Sequence, residues 1–149
     1  MLTAYLRPGA KGTPDSFSWH VHLYDQDRML LLPVFPTPAD EDDPWVFRPG
    51  DGVVGAAFGR HRVVVATGEA VADDSYRLSP AQRDYFQRYR RVATAPLEWG
   101  GDVMGTLSAI SAQDDNYFEA DHGPAVLRDM AGVVATLLAT MVGAGELGR

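Results

Sequence analysis

The glycine stretch PGDGVVGAAFGRHRVVVATG, Pro49 to Gly68, restricts the possible folds more than any other part of this chain. Gly50, Gly52 and Gly55 spell G-x-G-x-x-G, and Asp73 and Asp74 follow about twenty residues later, the outline of a dinucleotide loop. Such a loop needs a strand feeding its first glycine and a full crossover helix after its last, within roughly 30 residues. Here Pro49 stands directly before Gly50 and removes a ladder donor. Only residues 53–61 separate Gly52 from the next strand, which leaves a helix of about two turns. The motif is an accident of spacing, and no dinucleotide is expected.

Patterning along the rest of the chain points to an antiparallel sheet. In FSWHVHLYD, Phe17, Trp19, Val21 and Leu23 alternate with Ser18, His20, His22 and Tyr24, the period of a half-buried strand. DQDR turns the chain into MLLLPVF, so the two strands read as a hairpin. Leu2–Leu6 supplies an earlier strand ending at Pro8-Gly9, and PTPADEDDP is a proline-rich acidic loop that stays solvated. RVVVATG is a short β-branched strand. In LSPAQRDYFQRYRRV, Ser79 is the N-cap, Pro80 the first helical residue and Gln82 the partner that completes a capping box. Ala81, Tyr85, Tyr89 and Val92 then share one face of a helix over 80–91. VATAPLEW and DVMGTLSAIS are two strands around Gly100-Gly101, a dipeptide suited to a tight hairpin. Asp121 or His122 opens a last helix that carries Pro124 in its first turn and runs to about Val142. The expected class is α+β.

The totals exclude several functions. A chain of 149 residues is one domain, 1–149, by the usual scale of roughly 100–200 residues per domain. A net charge of −7 argues against a nucleic-acid binder, which shows a basic footprint. The absence of cysteine removes disulfides, thiolate metal sites and cysteine nucleophiles together. MLTAYLRPGA lacks a basic segment followed by an apolar run, so no signal peptide is read and a cytoplasmic location is expected. The longest uncharged run, Met130–Gly145, is short for a membrane span. G-x-S-x-G, H-E-x-x-H and the P-loop are missing.

Three segments taken in order resemble the GAF domains, small-molecule sensory modules of signalling proteins. They are RPGDGVVGAAFGRHRVVVATG, VATAPLEWGGDVMGTLSAIS and YFEADHGPAVLRDMAGVVATLL. The shared series is a glycine-rich start to a short helix, a strand after Gly59-Arg60-His61, and a strand carrying Pro96-Leu97. It continues through a turn, Met104-Gly105-Thr106-Leu107, and Phe118 ahead of Asp121 and the closing helix. The resemblance is strongest over 49–142. It implies a GAF/PAS-like antiparallel sheet with flanking helices, in which Gly50 and Gly52 permit the turn into the short helix and Gly55 allows close packing. Three departures go with it. The chain opens on a strand where the family usually has a helix packed beside its last one. The Asn-Lys-Phe-Asp-Glu series of cyclic-nucleotide binders is absent. Covalent tetrapyrrole attachment and methionine-sulfoxide reduction both use cysteine in this family, and this chain has none.

Several residues are candidates for chemistry. Trp45, Phe47, Tyr76, Tyr85, Phe86 and Tyr89 fall in the segments that roof the pocket of a GAF domain, and aromatic walls suit a planar ligand. Thr106 and Ser108 share a strand face that can orient such a ligand or simply pair with neighbouring strands. His20 and His22 form H-x-H on one face, which lines a cavity or meets water. They can share a metal only if a third ligand arrives, with His61 and Asp25 as possibilities. Arg83, Arg88, Arg90 and Arg91 make a basic helix, eased by an i,i+4 pair between Asp84 and Arg88. Asp73-Asp74 and Asp114-Asp115 read as surface turns.

The last helix suggests a partner. From Ala125 to Val142 its only charges are Arg128 and Asp129, and it reads as burying two faces, one of them on the sheet. Gly132, Val134, Thr136, Leu138 and Met141 are the candidate interface of a homodimer. The leading expectation is a non-enzymatic, ligand-binding sensory domain that biases a signalling partner. A ligand-free dimerisation module of the same fold is the alternative, and a metal-dependent enzyme built on His20 and His22 is a weaker one.

Overall fold

The computed structural model of this chain describes residues 18–35, 40–112 and 123–147. The alternating segment becomes β1 (Ser18–Asp25), and Asp25 accepts the amides of Asp27 and Arg28 to close the turn into β2 (Leu30–Pro33). After the glycine-rich turn come α1 (Gly52–Arg60) and β3 (Val64–Thr67). Two short 3-10 turns, Gly68–Ala72 and Asp74–Tyr76, lead to α2 (Pro80–Phe86). The long hairpin of β4 (Arg91–Trp99) and β5 (Asp102–Ser111) precedes α3 (Gly123–Leu147). The five strands form one antiparallel sheet in the order β2-β1-β5-β4-β3.

Both faces of the sheet are covered. On one, Leu127, Met130, Ala131 and Ala135 of α3 pack on Ala93, Ala95 and Leu97 of β4 and Leu107 and Ala109 of β5. Trp19, Val21 and Leu23 of β1 border the same cluster. On the other, Val53, Val54, Ala56 and Ala57 of α1 join Leu31, Phe47, Val71, Leu78 and Phe86 over Val92 and Ile110. The alternation in β1 therefore holds, and its polar side runs from an exposed Ser18 through half-buried His20 and Tyr24 to a position closed to water. His22 is fully buried.

The glycine stretch serves packing. Gly50 and Gly52 have φ of 89° and 68°, so the turn into α1 uses the left-handed region. A methyl on Gly55 would strike the Arg48 carbonyl oxygen, which sets how closely α1 approaches the preceding loop. The following strand, β3, pairs antiparallel with β4, so the stretch lies outside any parallel βαβ unit.

Four expectations need correction. The capping box forms as read, with Gln82 N–H on Ser79 Oγ and the Gln82 side chain on the Ser79 amide, but α2 ends at Phe86. Arg91 and Val92 instead open β4, where they pair with Ser111 and Ile110 of β5 and with Thr67 and Ala66 of β3. Arg91 is accordingly buried, not part of an exposed basic helix. Arg88 does not pair with Asp84 among the described contacts; its Nε donates to the Tyr85 carbonyl at 2.9 Å and its guanidinium lies 3.9 Å over the Tyr85 ring.

The remaining correction concerns α3, which continues to Leu147, past the expected end at Val142. Val134 and Leu138 lean on the sheet cluster, so they are not on the outer face. That face carries Val133, Leu137 and Met141, which are 44%, 45% and 68% exposed, beside Gly132 and Thr136. The reason is helical phase: 127, 131, 134 and 138 share one stripe, and 133, 137 and 141 lie on another. By length and composition alone Gly123–Met141 could cross a bilayer. One of its apolar stripes packs on the sheet and the other is exposed. The expected strand at Leu2–Leu6, the helix start at Asp121 or His122 and the turn at Asp114-Asp115 lie outside the described residues. So does the segment before β1.

Candidate functional site

Register sets out a polar patch in the middle of the sheet. His20 pairs with Ser108, which pairs with Thr94; one step along, His22 pairs with Thr106, which pairs with Pro96. His22, Thr94, Thr106 and Ser108 are all fully buried. Thr94 Oγ1 and Ser108 Oγ share a hydrogen bond of 2.8 Å. Thr106 Oγ1 and His22 Nδ1 have no partner among the described residues. Buried polar atoms are almost always paired, and leaving one unpaired costs about 1–3 kcal/mol.

An aromatic roof closes over this patch. Trp45 stacks on His20 with ring centroids 4.1 Å apart, and its indole N–H donates to Tyr85 Oη at 3.1 Å. Phe86 and Tyr89 meet the same indole edge-on, at 5.0 and 6.0 Å. Phe47 contacts both His22 and Phe86. Three ties hold the segment in place. Phe47 exchanges backbone hydrogen bonds with Leu31, Gln82 of α2 donates to the Val46 carbonyl at 2.8 Å, and His22 Nε2 donates to the Trp45 carbonyl at 2.8 Å. A carbonyl can only accept, so Nε2 carries the imidazole proton and Nδ1 is left as an acceptor.

Of the residues singled out in the sequence, His20, His22, Trp45, Phe47, Tyr85, Phe86, Tyr89, Thr106 and Ser108 are brought together here. Tyr76 packs against the same hydrophobic cluster as Trp45, Tyr85 and Tyr89. Sequence reasoning missed Gln82 as a roof tie and Thr94 as the partner of Ser108. Burial pushes His22 down to about 4, with its bond to Trp45 opposing the shift and His20 adding to it. Burial lowers His20 as well. Burial, and then hydrogen bonding to Tyr85, push the Tyr89 phenol up to about 12, so it stays a donor. Among the described residues no group of three His, Asp or Glu is placed to hold a metal. His61 lies at the far edge of the sheet from His20 and His22, beside Pro96 of β4.

A five-stranded antiparallel sheet with one long helix along one face and a crossover roof on the other defines the GAF/PAS-like class of α+β domains. The solved structures narrow this further. The GAF domain of an Acinetobacter phosphoenolpyruvate-protein phosphotransferase matches with a TM-score of 0.64 at 14% identity, over 88% of this chain and 75% of that one. The GAF domain/HD domain protein from Geobacter sulfurreducens gives 0.65 at 17%, over 94% and 88%. A type II free methionine-R-sulfoxide reductase from Thermoplasma acidophilum gives 0.60 at 15%, over 83% and 79%. The fold is GAF-like. No family model matches the sequence, and no curated protein does. Regulatory domains and an enzyme share this fold, so the fold by itself leaves either role open.

Proposed function

We propose that this domain is a non-enzymatic sensor that takes a small polar ligand between the central strands and the Trp45 roof. One observation carries the reading: His22 Nδ1 and Thr106 Oγ1, cross-strand neighbours, are buried without a partner among the described residues. A ligand group holding a donor and an acceptor side by side satisfies both. The neutral Nδ1 accepts, and the Thr106 hydroxyl donates or accepts. Entry requires the roof to lift, and the roof is tied to α2, so occupancy shifts that helix and biases a signalling partner. The want of cysteine supports a role other than the thiol-based sulfoxide chemistry of the family. G-x-S-x-G, H-E-x-x-H and the P-loop are missing, and the one G-x-G-x-x-G lies outside a parallel βαβ unit.

Thr106→Val gives the test a sign. It removes a hydroxyl that lacks a partner at nearly constant shape, so the ligand-free domain should gain about 1 kcal/mol in chemical denaturation. Native mass spectrometry of the wild-type protein should show a co-purified small molecule that the variant loses. If the variant is destabilised and the wild-type protein carries nothing, the hydroxyl is structural and the pocket is misplaced.

The exposed stripe of α3 favours a second element of the proposal, association of two copies through that helix. Val133, Leu137 and Met141 recur at i, i+4 and i+8 on the face turned from the sheet, the geometry of a helix-pair seam. On this face Val133 and Leu137 take the place of Val134 and Leu138, which pack on the sheet. Leu137→Glu is expected to turn a dimer into a folded monomer in sedimentation at micromolar concentration, whereas a wild-type monomer removes the dimer from the proposal. If the dimer persists and no ligand is ever found, the interaction-module reading of the same fold takes precedence.

A further inference from the structure

The edge of β4 beyond Thr94 borders a second cleft. β3 pairs with β4 only as far as Thr94, so the backbone of Ala95–Trp99 lacks a strand partner on that side among the described residues. Pro96 lies on that edge and offers no N–H to it. Between this edge, the end of α1 and the side of α3 lies a cleft of about 590 Å³, within the range of small-molecule sites. It lies at the opposite edge of the sheet from β1 and its two histidines.

The chemistry of its walls is uneven. His61, Arg62 and Arg128 line it, against a single carboxylate from Glu98, in a protein whose net charge is −7. The ion pairs among the described residues use Arg28, Arg77 and Arg83, so the guanidiniums of Arg62 and Arg128 are uncommitted. His61 occupies the left-handed C-cap of α1 at φ 54°, a position glycine usually fills. Cations near the end of α1 are favoured by the helix dipole, which accounts for His61 and Arg62. It does not account for Arg128, which stands in the N-terminal part of α3, where the dipole gives a cation no advantage.

Gly132 is the second unexplained choice. It sits inside α3, where glycine costs about 1 kcal/mol relative to alanine. A Cβ there would meet nothing within 4 Å, so close packing does not demand it. What its missing side chain provides is space in the cleft wall next to Arg128.

We propose that this cleft binds a small organic anion, its carboxylate or phosphate held by the forks of Arg62 and Arg128 and its carbon skeleton laid against Pro96 and Gly132. Guanidinium groups match both anions with paired N–H donors, so the two share one recognition chemistry. Glu98 faces the anion and limits how much negative charge the cleft accepts.

The experiment is a nitrogen–proton NMR titration of the full chain with inorganic phosphate and, separately, with succinate. Saturable shifts at the Gly132 and Arg62 amides are expected with at least one probe, and the better probe identifies the anionic group. Arg62→Gln and Arg128→Gln should each weaken binding about tenfold or more, and Glu98→Gln should tighten it. Gly132→Leu should abolish binding while the spectrum stays that of the folded protein, since open space receives the new side chain. No saturable shift with either probe overturns the proposal. So does binding that all four variants leave unchanged.

Discussion

Gly105→Ala is expected to cost this domain about 3 kcal/mol or more, a large share of the 5–15 kcal/mol typical of a domain. Gly105 is the residue of β5 that faces Leu23 of β1 on one side and Leu97 of β4 on the other. A methyl added there falls on the His22 carbonyl oxygen and presses on the His22 carbonyl carbon and the Leu23 Cα. All three atoms are backbone, so no side chain can swing aside. Relief requires β1 to move off β5, which unseats the strand that carries His22. Chemical denaturation monitored by tryptophan fluorescence measures the loss. Gly132→Ala is the internal comparison: it adds the same methyl to a helix in open space, and a gain of about 0.5–1 kcal/mol is expected. A Gly105→Ala protein within about 1 kcal/mol of wild type would mean that the β1–β5 spacing is looser than its register shows.

Much of this architecture is legible in local sequence, because local sequence is where its causes lie. The β1 alternation, the Ser79–Gln82 capping box and the Gly100-Gly101 hairpin each depend on a few adjacent residues, and each forms where it was expected. What escaped depends on contacts between distant segments. Counting back from the hairpin turn, Trp99 faces Asp102 and Glu98 faces Val103, which would set Thr94 opposite Leu107. An irregularity at Leu97/Glu98 adds one residue to β5, so Thr94 meets Ser108 instead. A slip of one residue exchanges the faces of a strand. This single bulge therefore decides which side chains of the hairpin lie under the roof.

The end of α2 is equally invisible, since Tyr89 and Val92 keep the helical period and only pairing with β3 and β5 draws Arg91 and Val92 into the sheet. The outer face of α3 is hidden from the sequence for a related reason. An almost uniformly apolar helix does not announce which stripe the sheet will take. The aromatic roof was identified residue by residue because aromatic side chains gather wherever a core or pocket needs area. Its ties, through Gln82 and the Trp45 carbonyl, join segments some 20 to 40 positions apart and leave no local signal.

The last large effect is a dependence on pH that His22 brings to the stability of the fold. In the unfolded chain its imidazole titrates near 6.5, and in the folded domain burial holds it at about 4. Between those values the unfolded state binds a proton that the native state refuses. Stability is therefore complete above about pH 6.5 and falls as pH drops toward 4, by about 3 kcal/mol for this one group. Below that value the contribution is gone and the curve levels. Protonation has a definite structural target as well, because it turns Nδ1 from an acceptor into a donor beside Thr106 and brings a charge under Trp45 and Phe47. His22→Gln separates this from the carboxylates, which both proteins retain: an amide nitrogen can still reach the Trp45 carbonyl, but it does not titrate. Denaturation midpoints followed from pH 7 to pH 4 should converge, wild type losing about 3 kcal/mol more than the variant over that interval. Parallel curves would show that water reaches His22 in the folded protein, and that the roof is open in solution. Convergence confined to the window between 6.5 and 4 would locate the acid sensitivity of this domain in the same imidazole that the proposed ligand is to satisfy.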